Sequence, residues 1–216
     1  MQPDNLSKQS TSIALGQLSV VFGGFSTAGI KTVNQDAFAA HQPSPSERTF
    51  KGVAAAIADG LSCSKRSAEA SQMCVTHFIE DYYSTPETWS VKISASRVLN
   101  ALNTWLVHHG TTEQTPLSSM ATTFSAVIFK STSAHIFHVG DSRVYRFRNG
   151  RLEQLTQDHC QPHHAGNQLL TNAIGVSLHL QVDYFDTDLQ EGDIFVLTTD
   201  GVHSFLKNVE LEQLVT

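Results

Sequence analysis

From residue 120 onward the chain is written in short apolar runs separated by links too short to hold a helix. "MATTFSAVIFK" and "SAHIFHVGD" are divided by Ser-Thr-Ser. "SRVYRFRNGRLEQLT" carries Asn149-Gly150, the dipeptide best suited to a two-residue hairpin. "LQVDYFDTDL" and "DIFVLTTD" are joined by Gln190-Glu191-Gly192-Asp193, which reads as another hairpin turn. Parallel strands need crossovers of a dozen or more residues. Links this short therefore demand antiparallel pairing.

Two helices precede the strands. Over Lys65–Tyr83, Ala70, Met73, Cys74, Phe78 and Tyr82 share one face. Over Ser90–His109, Val91, Ala95, Val98, Leu99, Leu102, Trp105 and Leu106 recur at helical spacing. The break at "STPET" predicts an antiparallel pair, with both stripes in the core. "QLSVVFGGFS" and "KGVAAAIAD" read as strands, "PSPSER" as a loop, "GVHSFLKNVELEQLVT" as a helix, and residues 1–12 as a flexible tail. Helices segregated from antiparallel hairpins place the chain in the α+β class.

The chemistry lies where strands end. "AAAIADG" and "FVLTTDG" each drive an apolar run into Asp-Gly, at Asp59-Gly60 and Asp200-Gly201. "TVNQDA" and "HVGDSR" place Asp36 and Asp141 similarly. Asp-Gly alone makes turns, but apolar flanks and repetition argue for more. Carboxylates gathered in one place repel, and desolvation raises their pKa values. Hard cations such as Mg²⁺ or Mn²⁺ relieve that repulsion and take oxygen ligands.

Composition narrows the partners. Twenty acidic residues face 14 basic ones for a net charge of −6, with no basic run, so no nucleic-acid surface is expected. No apolar run reaches the length of a membrane span. The three cysteines, Cys63, Cys74 and Cys160, match no disulfide framework, which favours a reducing, cytoplasmic setting. His159, Cys160, His163 and His164 share a polar loop and offer zinc-ligand chemistry, although a solvated flap is the plainer reading.

Six stretches in order, "KTVNQDA", "IADGLSC", "MATTF", "HVGDSRVYRFRNGRLEQLTQDH", "LLTNAIG" and "GDIFVLTTDGV", resemble motifs of the metal-dependent protein serine/threonine phosphatases of type 2C, in their bacterial form. The resemblance runs from about Gly23 to the last residue. It implies a four-layer αββα sandwich of two antiparallel sheets flanked by helix pairs. It implies hydrolysis of phosphoserine and phosphothreonine in a phosphoprotein substrate by a water bridging two ions, Mg²⁺ or Mn²⁺. Asp59 would bridge the ions, the Gly60 carbonyl would bind one, and Asp200 would bind the other. Asp36 would support the site directly or through water, and Asp141 would help hold a weaker third ion. Lys31 takes the place of the family's phosphate-binding Arg, and Gln35 that of a Glu.

Other departures are Ser62-Cys63 for Gly-Gly, Ala121 for Gly, and Leu61 where some members carry a proton-donating His. The family's closing Gly-x-x-Asp-Asn motif does not occur before Thr216. The expectation is therefore a phosphatase domain over residues 13–216 lacking its last strands, that is, C-terminally truncated. The alternative is a pseudophosphatase, a regulatory binding module for a protein kinase, fused or separate.

Overall fold

The computed structural model describes residues 18–110, 120–162 and 168–215. The tail expected over residues 1–12, and His163 and His164, lie outside the described residues. The chain runs β1 (Asp36–His41), α1 (Pro45–Lys51), β2 (Val53–Asp59), α2 (Ser67–Ser84), α3 (Val91–Gly110), β3 (Phe124–Lys130) and β4 (Ser133–Val139). It continues through β5 (Arg143–Arg148), β6 (Arg151–Gln154), β7 (Cys160–Pro162), β8 (Gln168–Leu170), β9 (Asp183–Asp188) and β10 (Ile194–Thr198). Two short helices, α4 (Asp200–His203) and α5 (Asn208–Val215), come last.

The strands form a five-stranded sheet in the order β1-β2-β3-β4-β9, a three-stranded sheet β10-β5-β6, and the pair β7-β8. Strand pleating sorts the core into two. Ala54, Ala56, Ala58, Phe124, Ala126 and Ile128 face α2 and α3 and join Phe78, Leu99 and Leu106. Val53, Val127, Phe129 and Ile136 point the other way, onto Val144, Phe195 and Leu197 of the smaller sheet. Alanines on β2 let the backbone of α2 approach closely.

This layering corrects the expected four-layer αββα sandwich. Among the described residues one helix pair covers one face of the five-stranded sheet, and the two sheets are open. The three-stranded sheet has no helix pair on its outer face. α4 has four residues and α5 eight, too short to cover a sheet. Phe205, between them, and Val209 and Leu214 of α5 are 82%, 66% and 72% exposed.

Three local expectations also fail. Residues 18–26 form no strand: Leu18 and Val20 lean on the second core, while Val21 and Phe25 face solvent with no ladder beside them. "PSPSER" contains helix α1, whose start is Ser44 accepting from the Glu47 N–H, with Pro45 in the first turn. The Gln190–Asp193 turn does not make a hairpin: β9 pairs with β4 and β10 with β5. Arg148 clamps that crossing by bonding Asp193 at 2.6 Å and Asp188 at 3.0 Å. The Asn149-Gly150 hairpin forms as read, with both residues at positive φ, 52° and 75°.

Candidate active site

The register of β1 against β2 sets Asp36 directly opposite Asp59. Directly opposed side chains share a sheet face and stand about 5 Å apart at Cβ, so two carboxyls meet where these strands leave the core. Asp200 arrives from the other sheet, at the first position of α4 after β10. The carboxyl of Asp59 lies within electrostatic reach of those of both Asp36 and Asp200. The preceding Thr199 donates its hydroxyl to Asp36 Oδ2 at 2.8 Å. Burial, followed by the charges of Asp36 and Asp200, pushes Asp59 up to about 9. Asp141, between β4 and β5, is also raised, by burial first and then by Asp200.

Hydroxyl groups hold this arrangement. The Asp59 N–H donates to Thr123 Oγ1 at 3.0 Å, and Thr122 Oγ1 donates to the Asp59 carbonyl at 2.9 Å. Thr123 Oγ1 also meets Ser142 Oγ at 2.7 Å, tying the Asp59 strand to the Asp141 turn. Thr122 pairs with Ile174, each N–H donating to the other carbonyl at 3.0 and 2.9 Å. A side chain on Gly175 would strike the Met120 carbonyl, so "MATTF" and "LLTNAIG" need each other. Sequence reading left these threonines without a role. The signal was present in the Thr-Thr pair that opens β3, but its partners lie far away in the chain.

Gly60 is buried against α2, where a Cβ would collide with the Ser67 carbonyl. Its N–H donates to the Gln35 carbonyl at 3.0 Å. Its own carbonyl accepts no hydrogen bond from the described residues. The Gln35 amide donates to Ser67 Oγ, and its Oε1 accepts from Ser62 at 3.4 Å. Lys31 sits on an exposed turn and its side chain contacts none of the carboxyls. The structure thus brings Asp36, Asp59 and Asp200 together, sets Asp141 close by, and leaves Lys31 apart.

The donor set suits hard divalent cations. It offers oxygen only, the carboxyls repel, and none of Asp36, Asp59, Asp141 or Asp200 forms an ion pair with a described Lys or Arg. Among the described residues no three His, Cys, Asp or Glu side chains close on one point as a complete cage. Mg²⁺ commonly takes one or two carboxylates and keeps several waters, and the free Gly60 carbonyl is a further donor. The zinc reading of the histidine loop finds less support: both ring nitrogens of His159 are engaged, at 3.1 Å to the Gly140 N–H and 3.0 Å to Asp183. Clefts of about 560 Å³ beside Arg146 and Arg151, and about 530 Å³ beside His159 and Asn172, lie elsewhere. The acidic group instead occupies the strand ends.

Oxygen donors gathered at the ends of antiparallel strands are a donor set that hard cations accept. A sequence profile described as protein phosphatase 2C matches residues 24–216. The chain belongs to that family. It is 28% identical to the serine/threonine phosphatase stp of Listeria monocytogenes, over 74% of this chain and 70% of that protein. It is 23% identical to the protein phosphatase PhpP of Streptococcus pneumoniae, over 87% and 81%. The solved S. agalactiae serine/threonine phosphatase superposes with a TM-score of 0.75 at 23% identity, covering 86% of this chain and 81% of that one.

Proposed function

We propose that the chain is a metal-dependent phosphatase acting on phosphoserine and phosphothreonine in proteins, with Mg²⁺ or Mn²⁺ as its ions. The observation that carries this reading is the meeting of Asp59 with both Asp36 and Asp200, in a chain of the protein phosphatase 2C family. Asp59 is central and would be shared between two ions, with Asp200 and the Gly60 carbonyl completing one side each. Asp36, on the facing strand, would support the site directly or through water, and Asp141 would help hold a weaker third ion. Bound divalent ions would supply a nucleophilic water and offset charge on the phosphoryl oxygens. The protein's part is positioning. Thr122 and Thr123 fix the Asp59 backbone, and Thr199 fixes Asp36. Lys31, exposed on its turn, is free to meet an incoming phosphate as a point charge. A site at open strand ends suits a phosphorylated segment of a large substrate. Cys63 is free and exposed, and attack by water needs no thiol nucleophile.

The test is Mn²⁺-dependent release of phosphate from a phosphopeptide, with Asp59→Ala and Asp200→Ala as controls. Full turnover in both variants, or after chelation, would sink the reading. A second reading, a binding module for a partner kinase, is favoured by Gln35, whose amide is committed to Ser62 and Ser67. Tight binding of two Mn²⁺ in calorimetry together with turnover rejects it.

A further inference from the structure

Cys160 Sγ lies 3.8 Å from Asp141 Oδ2, and the residue before it holds the chain that leads into Asp141. His159 bridges three segments. Its backbone N–H donates to the Gly140 carbonyl at 2.8 Å, and its own carbonyl accepts from the Thr171 N–H at 2.8 Å. Its Nδ1 accepts from the Gly140 N–H at 3.1 Å and from the Asn172 amide at 3.0 Å. Its Nε2 meets Asp183 Oδ2 at 3.0 Å. A backbone N–H can only donate, so Nδ1 carries the lone pair and the ring proton is on Nε2, pointing at Asp183. Asn172 is held in turn by donating to the Gln181 carbonyl at 2.7 Å.

Gly140 is the residue where such a hold matters. It lies at φ 108°, and a side chain there would come within 2.7 Å of Thr123. The left-handed conformation is natural for glycine and costly for other residues. The same freedom lets the two peptides that flank Gly140 turn against each other unless both are held. His159 holds both: its ring accepts from the N–H of the Val139–Gly140 peptide, and its backbone N–H donates to the carbonyl of the Gly140–Asp141 peptide. Asp141 follows immediately, so rotation at Gly140 would swing its carboxyl away from Asp200.

We propose that His159 is a positioning residue for Asp141: the ring, oriented by Asp183 and Asn172, pins the Gly140 amide, and together with the His159 backbone bond to the Gly140 carbonyl it fixes the Gly140 backbone angles and so aims the Asp141 carboxyl at the acidic site. This rests on the reading of Asp141 as a ligand of the weaker third ion. None of the hydrogen bonds of His159 goes to Asp36, Asp59, Asp141 or Asp200.

The side-chain geometry supplies a discriminating set of variants. In His159→Asn the amide oxygen falls near the Nδ1 position and can still accept from Gly140. In His159→Gln the amide reaches the Nε2 position instead, and His159→Phe keeps the ring without an acceptor. Hydrogen exchange at the Gly140 amide, followed by NMR, reads the pin without any metal. Calorimetric titration with Mn²⁺ reads its consequence, and thermal melting shows whether each variant folds. The expected result is a protected Gly140 amide in the wild type and His159→Asn, and fast exchange in His159→Gln and His159→Phe. The weakest Mn²⁺ site should lose about 10- to 100-fold in affinity in those last two and be retained in His159→Asn. Unchanged Gly140 exchange in a folded His159→Phe protein overturns the proposal, as does rescue by Gln equal to that by Asn. A wild-type protein that binds no Mn²⁺ overturns the functional reading, while the amide measurement still decides the pin.

Discussion

The two Asp-Gly turns look alike in sequence and behave differently in space. Asp59 ends a central strand, with neighbours on both sides and helix α2 above it. Its backbone is held by Thr122 and Thr123, and the following glycine has no room for a side chain. Asp200 follows β10, an edge strand, after Thr199 and opens the four-residue helix α4. Gly201 has only Thr199 Oγ1 near its missing side chain, at 3.7 Å. One turn is part of the core and the other is a surface feature aimed at it. The difference shows that a shared motif says nothing about which copy is rigid.

The sharpest way to break this comparison is by activity. Asp59→Asn keeps shape and removes charge, and should lower kcat/KM for a phosphopeptide by about 10³-fold, the upper range for losing one preorganised charge-stabilising group. Asp200→Asn should also be inactive, so equal retention of activity in both would end the functional reading.

Stability should separate the turns. Gly60→Ala must displace the α2 backbone and should cost about 1–3 kcal/mol in urea unfolding, the range for overpacking. Gly201→Ala meets no obstacle and should stay within about 0.5 kcal/mol of the wild type. Equal costs would refute the claim that only the first turn is built into the core. Thr123→Val leaves the Asp59 N–H unpaired and should cost about 1–3 kcal/mol. Its counterpart Thr199→Val removes one bond to Asp36 at the site's edge and should cost about 0.5–1.5 kcal/mol.

The remaining comparison is a slope in pH. Burial and the neighbouring carboxyls push Asp59 up to about 9 in the fold, whereas an unfolded Asp loses its proton near 3.8. Between those values the unfolded state binds fewer protons, so stability of the metal-free protein should fall as pH rises. Asp59→Asn should flatten that fall in melts from pH 5 to pH 8, and Mn²⁺ should flatten it in the wild type. A slope unchanged by Asp59→Asn would remove Asp59 as its source.

Much of the scaffold was legible because it is local. The stripes of α2 and α3, the Asn149-Gly150 hairpin and the apolar runs ending in Asp depend on residues a few positions apart. Other parts were not. Helix α1 was hidden by two prolines, although Ser44, Pro45 and Glu47 spell a helix start. The Gln190–Asp193 turn has hairpin composition, yet Arg148 and the open edges of two sheets send its strands apart. The expected fourth layer failed because α4 and α5 are too short to cover a sheet.

The sequence by itself determined that several carboxylates stand at the ends of apolar strands, two of them followed by glycine. That follows from backbone periodicity and turn chemistry, which neighbouring residues dictate. Only the tertiary structure decided that Asp36 faces Asp59, that Thr122 and Thr123 hold it, that His159 grips Gly140, and that Lys31 stands apart. Register, desolvation and close backbone approach arise between segments 20 to 160 residues apart. No local pattern carries that information, because each contact depends on where a distant strand comes to rest.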